Sequence, residues 1–319
     1  MKKLSIRKPR VSRKSISKES IKKATLGFKQ TVGLLVVGSL LLFGASGYYW
    51  YQNIFTDPDR ILSDMLDKSL QTSSLYRSVS QKSGQGSVDQ ELFTSFSPEV
   101  IAHSITRLQE INDLGRTTVV TETIGTQDTD IVRYTDINIE GQSNVKRNFD
   151  NVLNAWGKRV ADPQNGQTVS FLNDALFVVV PFGNMNSSQR SEMKDEIQKV
   201  NLYDYTSAKK SNENGRPMMT YAIDLDPKAL VGVLAKYVKI SGIGDDTSLN
   251  PAAYEGATRI QIELKVDMLS RHVKSIDFVN SGRNEEYKGY NLRREVEFPS
   301  ETIDINELQM RLQEIEKQG

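Results

Sequence analysis

The stretch TRIQIELKVD, residues 258–267, carries the clearest fold signal in the chain, because apolar and polar side chains alternate along it. Successive side chains of a β-strand point to opposite faces, so this alternation predicts a strand with one buried side. RHVKSIDFVN at 271–280 and YNLRREVEF at 290–298 continue the pattern after turn residues. Three such segments predict an antiparallel sheet with one face toward a core. The predicted inward residues of the first strand are Ile260, Ile262, Leu264 and Val266.

Further strands are predicted earlier in the chain, where Val, Ile, Thr and Tyr are frequent. TDIVRYTDINIE at 129–140 alternates in the same way. SPEVIAHSITRLQEINDLG at 97–115 is compatible with a helix or a strand, and we favour the strand. The apolar run ALFVVVPFG at 175–183 predicts a buried strand that Pro181 and Gly183 end. NLYDYTSAKK at 201–210 and MMTYAIDLD at 218–226 predict two more strands.

Five other segments place their apolar residues at helical spacing. They are residues 56–71, 148–160, 187–200, 227–238 and 303–318. The fourth helix has Asp226 as a predicted N-cap and Pro227 at its first position, and the third is predicted to be capped by Ser187 or Ser188. Together these strands and helices predict an α+β fold, with a twisted antiparallel sheet and a few helices on one face.

The N-terminal part contains the long apolar segment GFKQTVGLLVVGSLLLFGASGYYWYQ, residues 27–52. Residues 31–47 carry no charge, and a helix over 31–54 would be about 36 Å long, enough to cross the hydrocarbon core of a bilayer. We therefore predict a transmembrane anchor at residues 30–54. The aromatic cluster at its end predicts membrane-interface residues at headgroup depth, namely Tyr48, Tyr49, Trp50 and Tyr51.

Two other interpretations of the apolar segment remain open. Ala45 and Gly47 have the small-residue spacing of a signal-peptide cleavage site before residue 48. The basic region before the segment is nearly thirty residues long, however, and the apolar run is longer than an ordinary signal sequence. The Gly27–Phe28 junction resembles the cleavage site of prepilins, but Val32 stands where pilins usually carry Glu. The uncleaved anchor is favoured.

The charge of the chain is strongly asymmetric. Residues 1–29 hold eleven of the 41 Lys and Arg residues and one of the 40 acidic residues, so this tail carries +10 and the remainder −9. Because positive charge stays on the cytoplasmic side of an anchor, we predict a basic cytoplasmic tail at 1–29 and an extracytoplasmic α+β domain at 55–319. The tail would lie near anionic headgroups of the lipid bilayer, with an N-terminal nucleic-acid arm as the alternative. The acidic body argues against a nucleic-acid partner.

No catalytic, cofactor-binding or metal-binding residue is predicted, and an enzyme is not expected. The chain has no cysteine, which excludes disulfides and thiolate metal sites. A calcium loop, a phosphate-binding loop and a nucleophile elbow are also missing from the sequence. His103 and His272 are interpreted as surface or edge histidines. Asp128, Asp130 and Asp136 are interpreted as turn residues. Glu285 and Glu286 are expected in a turn that lacks an apolar pocket.

Three segments together resemble a known family. They are YAIDLDPKALVGVL at 221–234, with its helix over 226–238, MLSRHVKSIDF at 268–278 and YNLRREVEFPSE at 290–301. In order and spacing the chain from residue 57 to residue 300 resembles the LolA/LppX/LprG-like superfamily of bacterial exported lipid-carrier proteins. The resemblance implies a curved half-barrel sheet, whose concave side is covered by helices and can hold acyl chains. Family members that are tethered through a lipidated cysteine differ from this chain, which has none.

Two functions follow from these expectations. The first is a single-pass, membrane-anchored extracytoplasmic protein of the cell envelope, whose LolA-like domain binds lipid or another apolar ligand. The second is a structural or protein-interaction domain of an envelope assembly or sensor, with envelope proteins as partners and no ligand cavity. Inward Ile, Leu and Val side chains would line a cavity or fill a core equally well, so the sequence leaves both open and assigns no ligand-binding residue.

Overall fold

The computed structural model describes residues 55–112, 115–141, 147–162, 164 and 168–317. The chain divides into two compact units, Met1–Asp57 and Pro58–Gly319. Of the first unit only residues 55–57 are described, so the predicted tail, the anchor at 30–54 and the four interface aromatics lie outside the described residues. Within the described part, no helix is both long and apolar enough to span a bilayer. The second unit is the folded domain.

The folded domain is built on one large open sheet. Among the described residues twelve strands are hydrogen-bonded in the order β12-β6-β5-β4-β3-β2-β1-β11-β10-β9-β8-β7. Every neighbouring pair is antiparallel except β12 and β6, which are parallel. The strands are β1 Ser74–Ser83, β2 Gly86–Ser95, β3 Ile101–Asn112, β4 Gly115–Gly125, β5 Thr129–Gly141, β6 Gly157–Val160, β7 Tyr205–Glu213, β8 Arg216–Leu225, β9 Ile260–Asp267, β10 Val273–Phe278, β11 Arg283–Lys288 and β12 Ile303–Asp304.

Five α-helices accompany the sheet in the described chain, which makes the domain α+β as expected. They are α1 Pro58–Leu70, α2 Phe171–Leu176, α3 Ser187–Lys199, α4 Pro227–Ser241 and α5 Ile305–Lys317. The Asp226 side chain accepts from the backbone N–H groups of Lys228 and Ala229 at the start of α4, which confirms its predicted cap. Helix α3 is capped by Asn186, one residue before the predicted serines, because Asn186 and Gln189 form a reciprocal capping box.

The core lies where the apolar faces of β8, β9 and β10 meet the helices. Ile262, Leu264 and Val266 are buried as predicted, whereas Ile260 is half-buried near the sheet end. Helix α1 buries Ile61, Met65, Leu66 and Leu70, and α4 buries Val231, Val233, Leu234, Tyr237 and Val238. A second cluster joins α5 to the other end of the sheet, where Val152, Ile305, Leu308 and Ile315 are buried.

The helix predicted at 148–160 is wrong. Asn154 has a φ of 63°, the left-handed conformation that ends a helix, and its N–H donates to the Tyr134 carbonyl. The chain turns there and enters strand β6. A Cβ at Gly157 would come within 2.9 Å of the Leu308 and Ile305 side chains, so this glycine permits the close approach of α5. The apolar spacing is explained by packing against α5 instead of by a helix.

Two of the predicted strands are not strands in the structure. The run 175–183 ends helix α2 and then continues without a partner strand in the described chain, although Val178, Val179 and Val180 are buried. Residues 290–298 lie outside the sheet, and the third strand of the C-terminal group is β11 instead. Gly289 and Asn291 have φ values of 62° and 60° and redirect the chain at the end of β11.

Candidate functional site

A small cavity lies between the sheet and the segment 171–183, which is called the cover below. The cover consists of helix α2 and the buried irregular run that follows it. The volume of the cavity is about 10 Å³, enough for about one water molecule. Its lining residues, most of them apolar, are Leu75, Arg77, Leu92, Thr94, Phe96, Ala175, Leu176, Val178, Phe182 and Tyr287.

The register of three neighbouring strands places the polar residues of this cavity. Arg77 on β1 lies opposite Leu92 on β2 and opposite Tyr287 on β11. Paired residues of antiparallel strands share a face, so all three side chains point to the same side of the sheet, called the inner face below. The next pair on that face joins Val79 to Glu285. A cation and an anion are therefore neighbours on the inner face.

Arg77 is a buried cation with incomplete hydrogen bonding. Its residue surface is 5% exposed, and its Nη1 lies 3.9 Å from Oε2 of Glu285. Among the described residues, Nε and Nη1 have no hydrogen-bond partner. A buried guanidinium that lacks partners is costly, and such groups in folded proteins need a specific explanation. Arg77 is the strongest candidate for a functional residue in the described chain.

Glu285 is fully engaged by other residues. It is 1% exposed, and its Oε1 accepts from Nε and Nη2 of Arg283 at 2.9 and 2.5 Å. Its Oε2 accepts from the Tyr287 hydroxyl, whose pKa burial and the nearby carboxylate raise well above its ordinary value. The predicted turn at Glu285 and Glu286 is wrong, because both residues lie in strand β11. The strand points Glu285 inward and leaves Glu286 exposed on the opposite face.

Hydrogen bonds from outside the sheet hold the cover in place. The Tyr203 hydroxyl donates to the Val179 carbonyl at 2.6 Å, and the Tyr237 hydroxyl donates to the Phe182 carbonyl at 2.7 Å. Burial raises the pKa of both tyrosines, so both remain protonated donors. The N–H of Gly183 donates to the Ser69 carbonyl of α1. These hydrogen bonds and the burial of Val178, Val179 and Val180 hold the run after α2, which pairs with no strand in the described chain.

The start of α2 is fixed by one carboxylate. Oδ2 of Asp130 accepts from the N–H groups of Ser170 and Phe171 at 2.9 and 3.3 Å, although burial raises the pKa of Asp130. Of the three aspartates interpreted as turn residues, Asp128 lies in the β4–β5 turn, where its N–H donates to Thr126. Asp130 instead supports the cover, and Asp136 lies within β5.

Neither histidine lines the cavity. His103 is buried, which corrects the surface interpretation, because its Nε2 contacts Oε1 of Glu122 at 2.8 Å. Oε2 of Glu122 accepts from Arg133, and these hydrogen bonds keep the pKa of Glu122 below its ordinary value against the opposing effect of burial. His272 is half-buried and stacks on Tyr290 with ring centroids 4.1 Å apart.

A second, open concavity of about 810 Å³ lies at the far end of β1, β2 and β3. Its lining mixes polar residues, such as Gln81, Gln109 and Glu110, with the apolar residues Val88, Leu108 and Ile111. Nearby on the inner face, the Gln90 amide donates to the Thr106 hydroxyl at 3.2 Å. In the described part of the chain, no three His, Asp or Glu side chains are grouped to hold a metal ion.

Sequence reasoning missed Arg77, although the sequence held a signal. Leu75, Arg77 and Val79 alternate along one strand, so Arg77 occupies a position that the pattern assigns to the core. A cation at such a position indicates a buried polar partner or a ligand. The partner, Glu285, lies 208 positions further along the chain and could not be identified from spacing.

The comparisons with known proteins leave the family open. No protein-family model and no curated protein sequence matches the chain. Among solved structures, the crystal structure of LprF from Mycobacterium bovis is similar with a TM-score of 0.40 and 10% identity. The similarity covers 76% of this chain and 98% of that chain. A TM-score below 0.5 does not establish a shared fold.

Proposed function

We propose that this chain is a single-pass membrane protein of the cell envelope, whose extracytoplasmic domain binds lipid or another apolar ligand beneath the cover. The apolar segment at 30–54 and the +10 charge of the tail support the anchor and its orientation. The acidic domain would then lie outside the membrane, with its first helix beginning at Pro58.

The observation that carries the proposal is the apolar-walled cavity under a cover that is not part of the sheet. Leu92, Leu176 and Phe182 form apolar walls on both sides of it. Ligand pockets usually measure roughly 300–1,000 Å³, so this cavity of about 10 Å³ must enlarge before a lipid can enter. Displacing α2 and the run after it would enlarge the cavity without breaking any strand pair. The displacement also uncovers buried apolar side chains such as Leu176, Val180 and Phe182, so the open state requires an apolar ligand that replaces their contacts.

Lipid extraction from the full chain, purified in mild detergent, tests the binding role. We expect a bound lipid-like molecule at a fixed ratio to the protein, identified by mass spectrometry. Ala175→Leu fills the cavity from the buried side of α2 and should abolish retention. Asp174→Leu, at an exposed position of the same helix, is the matched control and should retain it. Failure to retain any lipid and to take up an added apolar probe would refute the proposal.

A structural or protein-interaction domain is the second candidate, and one observation favours it. The cavity holds about one water, so the interior in this state is nearly filled. Such a core needs no ligand. Crosslinking in intact cells would then capture envelope proteins with the wild type and with Ala175→Leu alike.

For both candidate functions, protease added to intact cells should digest the domain and leave the tail protected; protection of the domain would contradict the proposed orientation.

A further inference from the structure

We propose that Arg77 binds the anionic head of the ligand, so that the ligand class is a single-chain amphiphile with a terminal carboxylate, such as a long-chain fatty acid. This inference rests on the proposed apolar-ligand function and specifies the chemistry of the same site. The two can fail separately, because an apolar ligand without a charge would satisfy the first and contradict the second.

The charge balance around Arg77 supports an anion. In the part of the chain that the structure describes, Arg77 and Arg283 share one buried carboxylate, Glu285. Both oxygens of Glu285 already accept hydrogen bonds, from Arg283 and from Tyr287. The Arg283 side chain is 37% exposed and is solvated by water, whereas the Arg77 side chain is 6% exposed. Two cations and one anion leave the cluster with a net charge of +1, and Arg77 is the cation that lies inside the domain.

The unpartnered hydrogen-bond donors of Arg77 also favour an anionic ligand. Its Nε and Nη1 are buried donors without partners among the described residues. A guanidinium nitrogen donates to carboxylate oxygens in short, charge-assisted hydrogen bonds. Because Arg77 lines the cavity, an anion that entered it would meet these donors directly. One water molecule could also accept from one of them, and this simpler occupant is an outcome of the test below.

The residues around Arg77 indicate that the rest of the ligand is apolar. Leu92, Leu176 and Val178 line the same cavity and offer no hydrogen bond to a polar tail. The head would lie at Arg77 and a hydrocarbon chain would extend along these walls beneath the cover. A carboxylate has three heavy atoms and needs less enlargement of a closed cavity of about 10 Å³ than a phosphodiester does. The site therefore favours a free fatty acid over a phospholipid.

The test compares two probes of equal chain length on the full protein in dodecyl maltoside micelles, with empty micelles as the blank. We expect palmitate to bind about tenfold or more tightly than hexadecanol, since hydrogen bonds to charged groups contribute that much. Arg77→Met should remove this preference, and Arg77→Lys should retain part of it. Equal binding of both probes would overturn the inference and leave the proposed function intact. Binding of neither probe would overturn both, with a resident water as the remaining occupant.

A second measurement needs no variant and covers the case that Arg77→Met does not fold. The carboxyl resonance of [1-¹³C]palmitate is followed by NMR while the pH is lowered. A carboxylate beside a buried guanidinium stays ionised to lower pH, so the bound signal should titrate at least about one pH unit below the signal in empty micelles. Identical titration in the two samples, or a preference for palmitate that persists in Arg77→Met, would refute the role of Arg77.

Discussion

Glu285→Gln tests the buried charge cluster most directly, because it removes one charge and keeps the shape of the side chain. Glu285 is 1% exposed and its Oε2 lies 3.9 Å from Nη1 of Arg77. At an effective dielectric constant of about 20, two unit charges at this distance attract by about 4 kcal/mol. Breaking one partner of a buried ion pair typically costs about 3–5 kcal/mol. We expect the free energy of unfolding to fall by roughly 3 kcal/mol.

The assay is urea unfolding of the full chain in detergent micelles, followed by circular dichroism. Glu286→Gln is the matched control, because the neighbouring residue is exposed on the opposite face and should change stability by less than about 0.5 kcal/mol. Adding Arg77→Met to Glu285→Gln removes the unpaired cation and should restore roughly 2 kcal/mol. Equal stabilities of Glu285→Gln and Glu286→Gln would refute the reasoning, as would a double variant less stable than Glu285→Gln alone.

Three further predictions concern other parts of the domain. Burial lowers the pKa of His272 below 6.5, so the folded state disfavours its protonation. The stability of the domain should therefore fall as the pH drops below about 6.5. In His272→Gln the unfolding midpoint should decrease less between pH 7.5 and pH 5.5 than in the wild type. The residue surface of Asp174 is exposed, but the surrounding protein desolvates its carboxyl group; this desolvation, followed by the charge of Asp130, raises its pKa and favours the neutral form. Asp174→Asn should therefore stabilise the domain slightly at pH 7 and not at pH 3, and a gain at pH 3 would contradict this. Gly157→Ala should cost about 1–3 kcal/mol in thermal unfolding, because the new methyl group would contact Leu308 and Ile305, whereas Gly84→Ala, with open space around it, should be neutral.

The elements that were predicted correctly are those whose structure depends on residues close to one another in the sequence. Helix α4 has its cap at Asp226, Pro227 at the first position and Gly242 in the left-handed conformation at its end. Strand β9 alternates because one face is buried and the other is exposed. The strand interpretation of 97–115 is confirmed by β3, which ends in a turn before β4. In these segments the residue pattern and the packing agree.

The segments that differ depend on partners far away in the sequence. The run 175–183 is apolar because it is buried under α1 and α4, and its backbone groups bond to Ser69, Tyr203 and Tyr237. Apolar composition alone does not distinguish such a run from a strand. The candidate site has the same origin, since Arg77 and Glu285 meet only after the sheet has formed.

The pairing of β1 with β11 has a consequence for how the chain folds. Arg77 faces Tyr287 across this seam, so strands β2 to β6 join β7 to β10 only through residues about two hundred positions apart. Closing such a long loop is entropically costly and slows folding. The seam cannot close while the C-terminal third is still in the ribosome. Until then β1 presents an unpaired edge with Arg77 open to water, and such an edge is a point at which nascent chains aggregate or meet chaperones.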